Sequence, residues 1–166
     1  MSIVLIGCAG REVRNFEGNS PEFRPEKYFD GHVKAWGFAE NRWGSVTQRF
    51  EADFYGESHG DSLTMHEELR YEDGRTEERD WVITRTGQHD YTISSPDMVG
   101  EGSGQAYGNA VRWQYYLNVN VGDGKWTMWF DDWMILRNDG VMLDRAVISK
   151  YGITLGRAYI FFQKMG

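Results

Sequence analysis

The chain reads as an all-β protein: an antiparallel up-and-down meander of about ten strands. Three observations carry this expectation. From Tyr28 onward, short runs alternate apolar and polar residues, the period-two signature of strands with one buried face. The breaks between runs carry hairpin chemistry at Asp73-Gly74, Thr86-Gly87, Asp123-Gly124 and Asp139-Gly140. No segment sustains a 3.6-residue apolar period. A meander this long closes into a barrel or folds as a sandwich, and closure, which leaves no exposed edge, is the expected solution.

Residues 1–27 stand apart from that pattern. The stretch Ala9–Lys27 is polar, contains Pro21 and Pro25, and has no period, so it reads as a tether or surface strap before a barrel domain over 28–166. Strands follow near His32–Ala39, Val46–Tyr55, Leu63–Tyr71, Glu77–Thr86, Tyr91–Ser95, Met98–Gln105, Ala110–Val121, Lys125–Arg137, Val141–Lys150 and Arg157–Gln163. A three-residue turn at Glu72-Asp73-Gly74 sets Leu63 opposite Ile83, Met65 opposite Trp81 and Glu67 opposite Arg79, an inward ion pair that a two-residue turn would break. The run Val99-Gly100-Glu101-Gly102-Ser103-Gly104 resembles a phosphate loop but lacks the GK[ST] ending and a following helix, so a flexible strand connection is expected.

The most informative stretch is Lys125–Gly152, apolar almost throughout yet carrying Asp131, Asp132, Asp144, Arg145 and Lys150. Charges in such strands are costly unless paired or used. Along 110–121, Val111, Trp113, Tyr115, Leu117 and Val119 form one face, with Arg112, Gln114, Tyr116 and Asn118 on the other. A two-residue Asp123-Gly124 turn pairs Tyr115 with Asp132. Continuing through Asp139-Gly140 pairs Met134 with Arg145, which puts Asp132, Arg145 and Tyr115 inside together. A three-residue turn instead swaps the faces of the strand over 125–137 and brings Asp131 inward, with Trp133 across from Arg145. Both registers leave an aspartate, Tyr115 and Arg145 in the interior.

The remaining composition excludes several classes. A net charge of −7 without a basic stripe argues against nucleic acid. Cys8 is the single cysteine, which removes intrachain disulfides and CxxC sites. His32, His59, His66 and His89 fall in separate strands and turns without metal-ligand spacing, so neither a metal nor a cofactor is expected. Adjacent Ser149 and Lys150 point to opposite faces of a strand and make no nucleophile pair. Leu5-Ile6-Gly7-Cys8-Ala9 fits the bacterial lipobox pattern, although only seven residues precede Cys8 and none is basic.

Several blocks together carry a family likeness: YFDGHVKAWG from Tyr28, YEDG with RDWVI, GNAVRWQYYL from Gly108, WFDDWM from Trp129 and DRAVISKYG from Asp144. In this order, over nearly the whole chain, they resemble the bacterial DUF3833 family. The resemblance implies a lipocalin-like or calycin-like barrel, lipidation at Cys8, a place at the bacterial cell envelope and, from the neighbourhood of cyclopropane-fatty-acyl synthases, a link to lipid modification. The chain departs from the family pattern at Asp144, where the pattern carries Asn.

The expected function is a non-catalytic barrel that binds a lipid or other apolar molecule and associates with the membrane through a lipid anchor. Its candidate ligand-binding residues are Asp132, Arg145, Tyr115, Trp113 and Asp131, with Glu67 and Arg79 as a second inward pair. Trp36, Trp81, Trp113 and Trp126 read as core, while outward Trp129 and Trp133 suit a membrane, a protein partner or the underside of the strap. The alternatives are an acid–base enzyme on an apolar substrate and an accessory protein that recruits membrane enzymes.

Overall fold

The computed structural model describes residues 12–166, and ten strands account for most of them. They are β1 (Gly31–Asn41), β2 (Val46–His59), β3 (Ser62–Tyr71), β4 (Thr76–Arg85), β5 (Asp90–Ser94), β6 (Gly102–Tyr107), β7 (Ala110–Val121), β8 (Gly124–Leu136), β9 (Val141–Lys150) and β10 (Ile153–Lys164). Each pairs antiparallel with its neighbours in sequence, and β1 also pairs with β10, so the meander closes into a barrel. That architecture is consistent with a lipocalin-like barrel. Closure satisfies the backbone of every strand and leaves no sheet edge.

The turns fix which side chains enter the lumen. At β3–β4 the expected three-residue turn is present, and Glu67 lies opposite Arg79. At β7–β8 the loop is Gly122-Asp123, so Val121 faces Gly124 and Asp132 pairs with Trp113 rather than Tyr115. This moves the expected register by two residues and leaves the faces unchanged, with Asp132 inside. At β8–β9 the loop has three residues, Asn138-Asp139-Gly140, with Gly140 at φ 81° and Asp139 Oδ1 accepting from the Val141 N–H at 3.2 Å. Met134 therefore pairs with Asp144 and Trp133 with Arg145. A one-residue slip turns every side chain of a strand to the other face. Asp144 is inside and Arg145 is on the outer wall, which corrects the inward placement of Arg145.

The Gly-rich run is a second departure. Met98 makes only an isolated bridge to Leu117, and β6 begins at Gly102. Gly102 and Gly104 are inward positions of β6. A Cβ on Gly104 would lie 2.2 Å from the Trp113 ring, and one on Gly102 would lie 2.7 Å from Tyr115 Cβ. These glycines make room for the two largest side chains of β7 rather than supplying flexibility.

One end of the barrel is closed by the chain before β1. A short helix, α1 (Pro25–Tyr28), and a 3-10 turn at Val13–Phe16 bring Val13, Phe23 and Tyr28 into buried positions. Phe23 donates its N–H to Gly108 O at 2.8 Å, and the Tyr28 hydroxyl donates to Gly140 O at 3.0 Å. Phe23 joins Phe29, Phe54 and Phe162 in the core, where Val33, Leu63, Val111 and Met142 are fully enclosed.

Candidate functional site

The inward faces of β3, β4, β7, β8 and β9 converge on a cavity of about 110 Å³. Its walls are mostly aromatic and aliphatic, with Phe29, Phe54 and Phe162 among them, and Glu67, Trp81, Tyr115, Asp132 and Asp144 supply the polar groups. Period-two alternation delivers each of these side chains: Asp132 and Met134 from β8, Asp144 from β9, and Trp113 and Tyr115 from β7.

Tyr115 donates its hydroxyl to Asp132 Oδ2 at 2.7 Å. Its ring stacks on Phe130 at 5.3 Å and meets Trp81 edge-on at 6.0 Å, which holds the hydroxyl in place. Asp132 Oδ1 and Asp144 Oδ1 are buried and have no hydrogen-bond partner among the described residues. Burial pushes the Asp132 carboxyl up to about 7, partly opposed by the Tyr115 hydrogen bond. Burial also raises Asp144 well above the ordinary carboxylate range, with the charge of Asp132 adding to it and Arg145 on the outer face opposing it. The two carboxyls share one apolar lumen and titrate as a pair, each raised by burial. Tyr115 stays neutral, because burial and the Asp132 charge both disfavour its phenolate.

A second polar group sits beside this pair. Trp81 Nε1 donates to Glu67 Oε2 at 2.8 Å, and Arg79 Nη1 reaches the same oxygen at 3.5 Å. Arg79 also approaches Glu77 at 3.6 Å and Asp97 at 3.5 Å. Burial raises the Glu67 carboxyl against the attraction of Arg79. The expected inward pair of Glu67 and Arg79 is present, extended by an indole donor.

The other candidate residues lie elsewhere. Asp131 faces outward, where Arg112 donates to both its oxygens at 2.8 and 2.6 Å. Arg145 also faces outward, between Trp133 of β8 and Tyr159 of β10. Trp133 packs against Phe16 of the strap at 6.1 Å, and Trp129 packs against Tyr116 at 4.7 Å. Trp81 and Trp113 are core, but Trp36 and Trp126 are exposed, because each lies on the outer face or beyond the filled part of the lumen. Cys8 lies outside the described residues. No three His, Cys, Asp or Glu side chains among the described residues are grouped to hold a metal ion.

The residue missed from sequence is Asp144. Its signal was present: Asn138-Asp139-Gly140 repeats the pattern of Glu72-Asp73-Gly74, and in both turns the aspartate caps the N–H two residues on. Applied to both turns, one rule would have placed Asp144 inside.

Residues 2–164 match the model of DUF3833, described as a protein of unknown function. No curated protein matches the chain in sequence.

Proposed function

We propose that this chain, which belongs to the DUF3833 family, binds a small apolar molecule, or the tip of a longer lipid-like one, in the barrel lumen. The ligand presents a hydrogen-bond donor to Asp132 and Asp144. The observation that carries the reading is the cavity itself, apolar-walled and holding two buried carboxyl oxygens without partners among the described residues. Leaving such an oxygen unmade costs about 1–3 kcal/mol, which a donor-bearing ligand recovers. Size sets the limit. A cavity of about 110 Å³ is near the ~150 Å³ that admits benzene and below the roughly 300 Å³ of ordinary ligand pockets. A whole acyl chain therefore does not fit in the lumen, and carboxylate ligands are disfavoured by the acids already there. In the same reading the chain belongs at a bacterial envelope, with Cys8 as acyl anchor.

Thermal unfolding with short primary alcohols and amines tests this. Saturation at a hundredfold excess over Kd should add about 2.7 kcal/mol of stability, while alkanes and carboxylates of matched length add none. If no donor-bearing probe raises Tm and no small molecule copurifies by mass spectrometry, the reading is discarded.

Acid–base catalysis is the second reading, favoured by an Asp132 carboxyl raised to about 7 beside Asp144, whose carboxyl burial also raises. A carboxyl that titrates near neutrality can both accept and return a proton. In that case Asp132→Asn keeps ligand binding and abolishes turnover of the bound compound. Equal turnover by Asp132→Asn and the parent would exclude it.

A further inference from the structure

In an up-and-down barrel alternate turns share an end. The β1–β2, β3–β4, β5–β6, β7–β8 and β9–β10 connections therefore lie opposite the end closed by Phe23 and Tyr28. Three of these hairpins are consecutive around the ring, because β10 pairs with β1 and β9 with β8. Their tips expose large apolar side chains: Trp43 is 80% and Tyr151 91% accessible, with Val46, Trp126 and Ile153 also exposed. Soluble proteins bury such residues or scatter them singly, and a cluster at one edge marks a contact surface.

Tyr151 adds an independent observation. It is the single non-glycine residue at positive φ among the described residues, at 51°, followed by Gly152 at 76°. A turn with both central residues at positive φ favours Asn-Gly or Asp-Gly, and a bulky side chain there is strained. The Tyr151 ring is almost wholly in water, so its burial does not offset that strain. Charge indicates the partner. Lys150 Nζ lies 4.8 Å from the Tyr151 ring centroid and 5.6 Å from that of Trp126, and the Arg42 guanidinium sits 5.2 Å from the Trp43 ring. Lys125 joins them, so these tips carry three basic side chains against Asp123 and Glu40, and Glu40 accepts from the Tyr159 hydroxyl at 3.2 Å. The remaining two connections at this end carry Glu72, Asp73, Asp97 and Glu101. On a chain of net charge −7, the three tips with the exposed aromatics carry an excess of basic side chains, while the other two connections carry those four acids against Arg75 alone.

We propose that the tips of the β1–β2, β7–β8 and β9–β10 hairpins form a docking edge for an anionic bilayer surface. Trp43, Trp126 and Tyr151 seat at the headgroup level, and Arg42, Lys125 and Lys150 face lipid phosphates. Indole and phenol rings suit this boundary because one part is apolar and the other hydrogen-bonds water, and nearby basic side chains add electrostatic attraction to anionic lipid. The acidic half of the rim tilts away, so the barrel docks by an edge. This proposal is independent of what the lumen binds.

The experiment is flotation of the full chain, and of its Cys8→Ser form to remove any acyl anchor, with vesicles of phosphatidylglycerol and phosphatidylcholine or of phosphatidylcholine alone. Binding to the anionic vesicles should persist in Cys8→Ser, weaken with salt, and blue-shift the tryptophan emission. The triple variant Trp43→Ser, Trp126→Ser, Tyr151→Asn should lose at least about tenfold in partitioning with Tm unchanged or raised. A control at the opposite end, Tyr55→Ser with Val82→Ser, should bind like the parent. Failure of Cys8→Ser to float with anionic vesicles overturns the proposal, and so does undiminished binding by a folded triple variant. Equal binding to both vesicle types removes the anionic-lipid assignment.

Discussion

Asp132 holds the chemistry of the lumen in a single side chain. Its Oδ2 is satisfied by Tyr115, its Oδ1 is free of partners among the described residues, and burial sets its carboxyl at about 7. An unfolded aspartate titrates near 3.9, so between about 4 and the folded value near 7 the native state holds a proton that the unfolded chain has lost. Stability therefore falls as pH rises through this window, by roughly 1.4 kcal/mol per pH unit for one such group. Asp132→Asn removes this dependence but leaves that of Asp144, so its stability should fall less steeply than the parent's. Urea midpoints at several pH values between 4 and 7 measure the difference, and identical slopes would mean that Asp132 ionises freely in the fold. Asp53 on the outer wall acts in the opposite direction: Arg70 and His32 hold its carboxyl low, so the stability it contributes is lost as pH falls. The slope must therefore be compared between variant and parent.

At the scale of elements, β6 and β7 show how small residues shape the site. Trp113 and Tyr115 reach the cavity only because the facing inward positions of β6, Gly104 and Gly102, lack side chains. Gly104→Ala places a methyl group 2.2 Å from the indole of Trp113, so the ring must shift. Overpacking of this kind costs about 1–3 kcal/mol. Chemical denaturation should find that loss together with a changed near-ultraviolet signal from the displaced indole. An unchanged midpoint and spectrum would show that the ring has room elsewhere. The strap depends on glycines in the same way. A Cβ on Gly108 would meet Phe16 O at 1.9 Å, and one on Gly56 would meet Phe29 O at 1.8 Å, so the chain crosses the barrel rim where no side chain stands in its way.

For the molecule as a whole, closure joins the first strand to the last, and the N-terminal strap contributes Phe23 and Phe29 to the same core as Phe54 and Phe162. A core shared this way should unfold as one unit. Urea unfolding followed by tryptophan fluorescence and by far-ultraviolet circular dichroism is expected to give coincident transitions. An earlier, separate fluorescence transition would mean that the strap detaches while the barrel stays folded. The exposed tips of the three basic hairpins contribute little to this core, which leaves them available for a surface role.

The strand count, the antiparallel order and the inward position of most side chains were legible in the sequence, because alternation is local and each strand carries its own record of which face is buried. Tyr115, Trp113, Glu67 and Arg79 were assigned to the lumen for that reason, whereas Asp131 and Asp132 stayed alternatives that the two-residue β7–β8 loop decides in favour of Asp132. Register was legible only where turn chemistry was read consistently: the Glu72-Asp73-Gly74 turn gave Glu67 opposite Arg79, whereas one residue of loop length after Leu136 exchanged Arg145 for Asp144. Tertiary structure alone decided the size of the cavity, since that depends on Phe23 and Phe29 entering from outside the strands and on the Trp113 ring lying over Gly104. It also decided that Trp126 is exposed, because Trp126 is in phase with inward Met128 but lies where nothing packs against it, whereas Trp36 is out of phase with inward Val33 and Ala35 and faces outward. The physical reason is range: alternation and turn preference act over a few residues, whereas cavity volume and exposure depend on side chains far apart in the chain that meet only when the barrel closes.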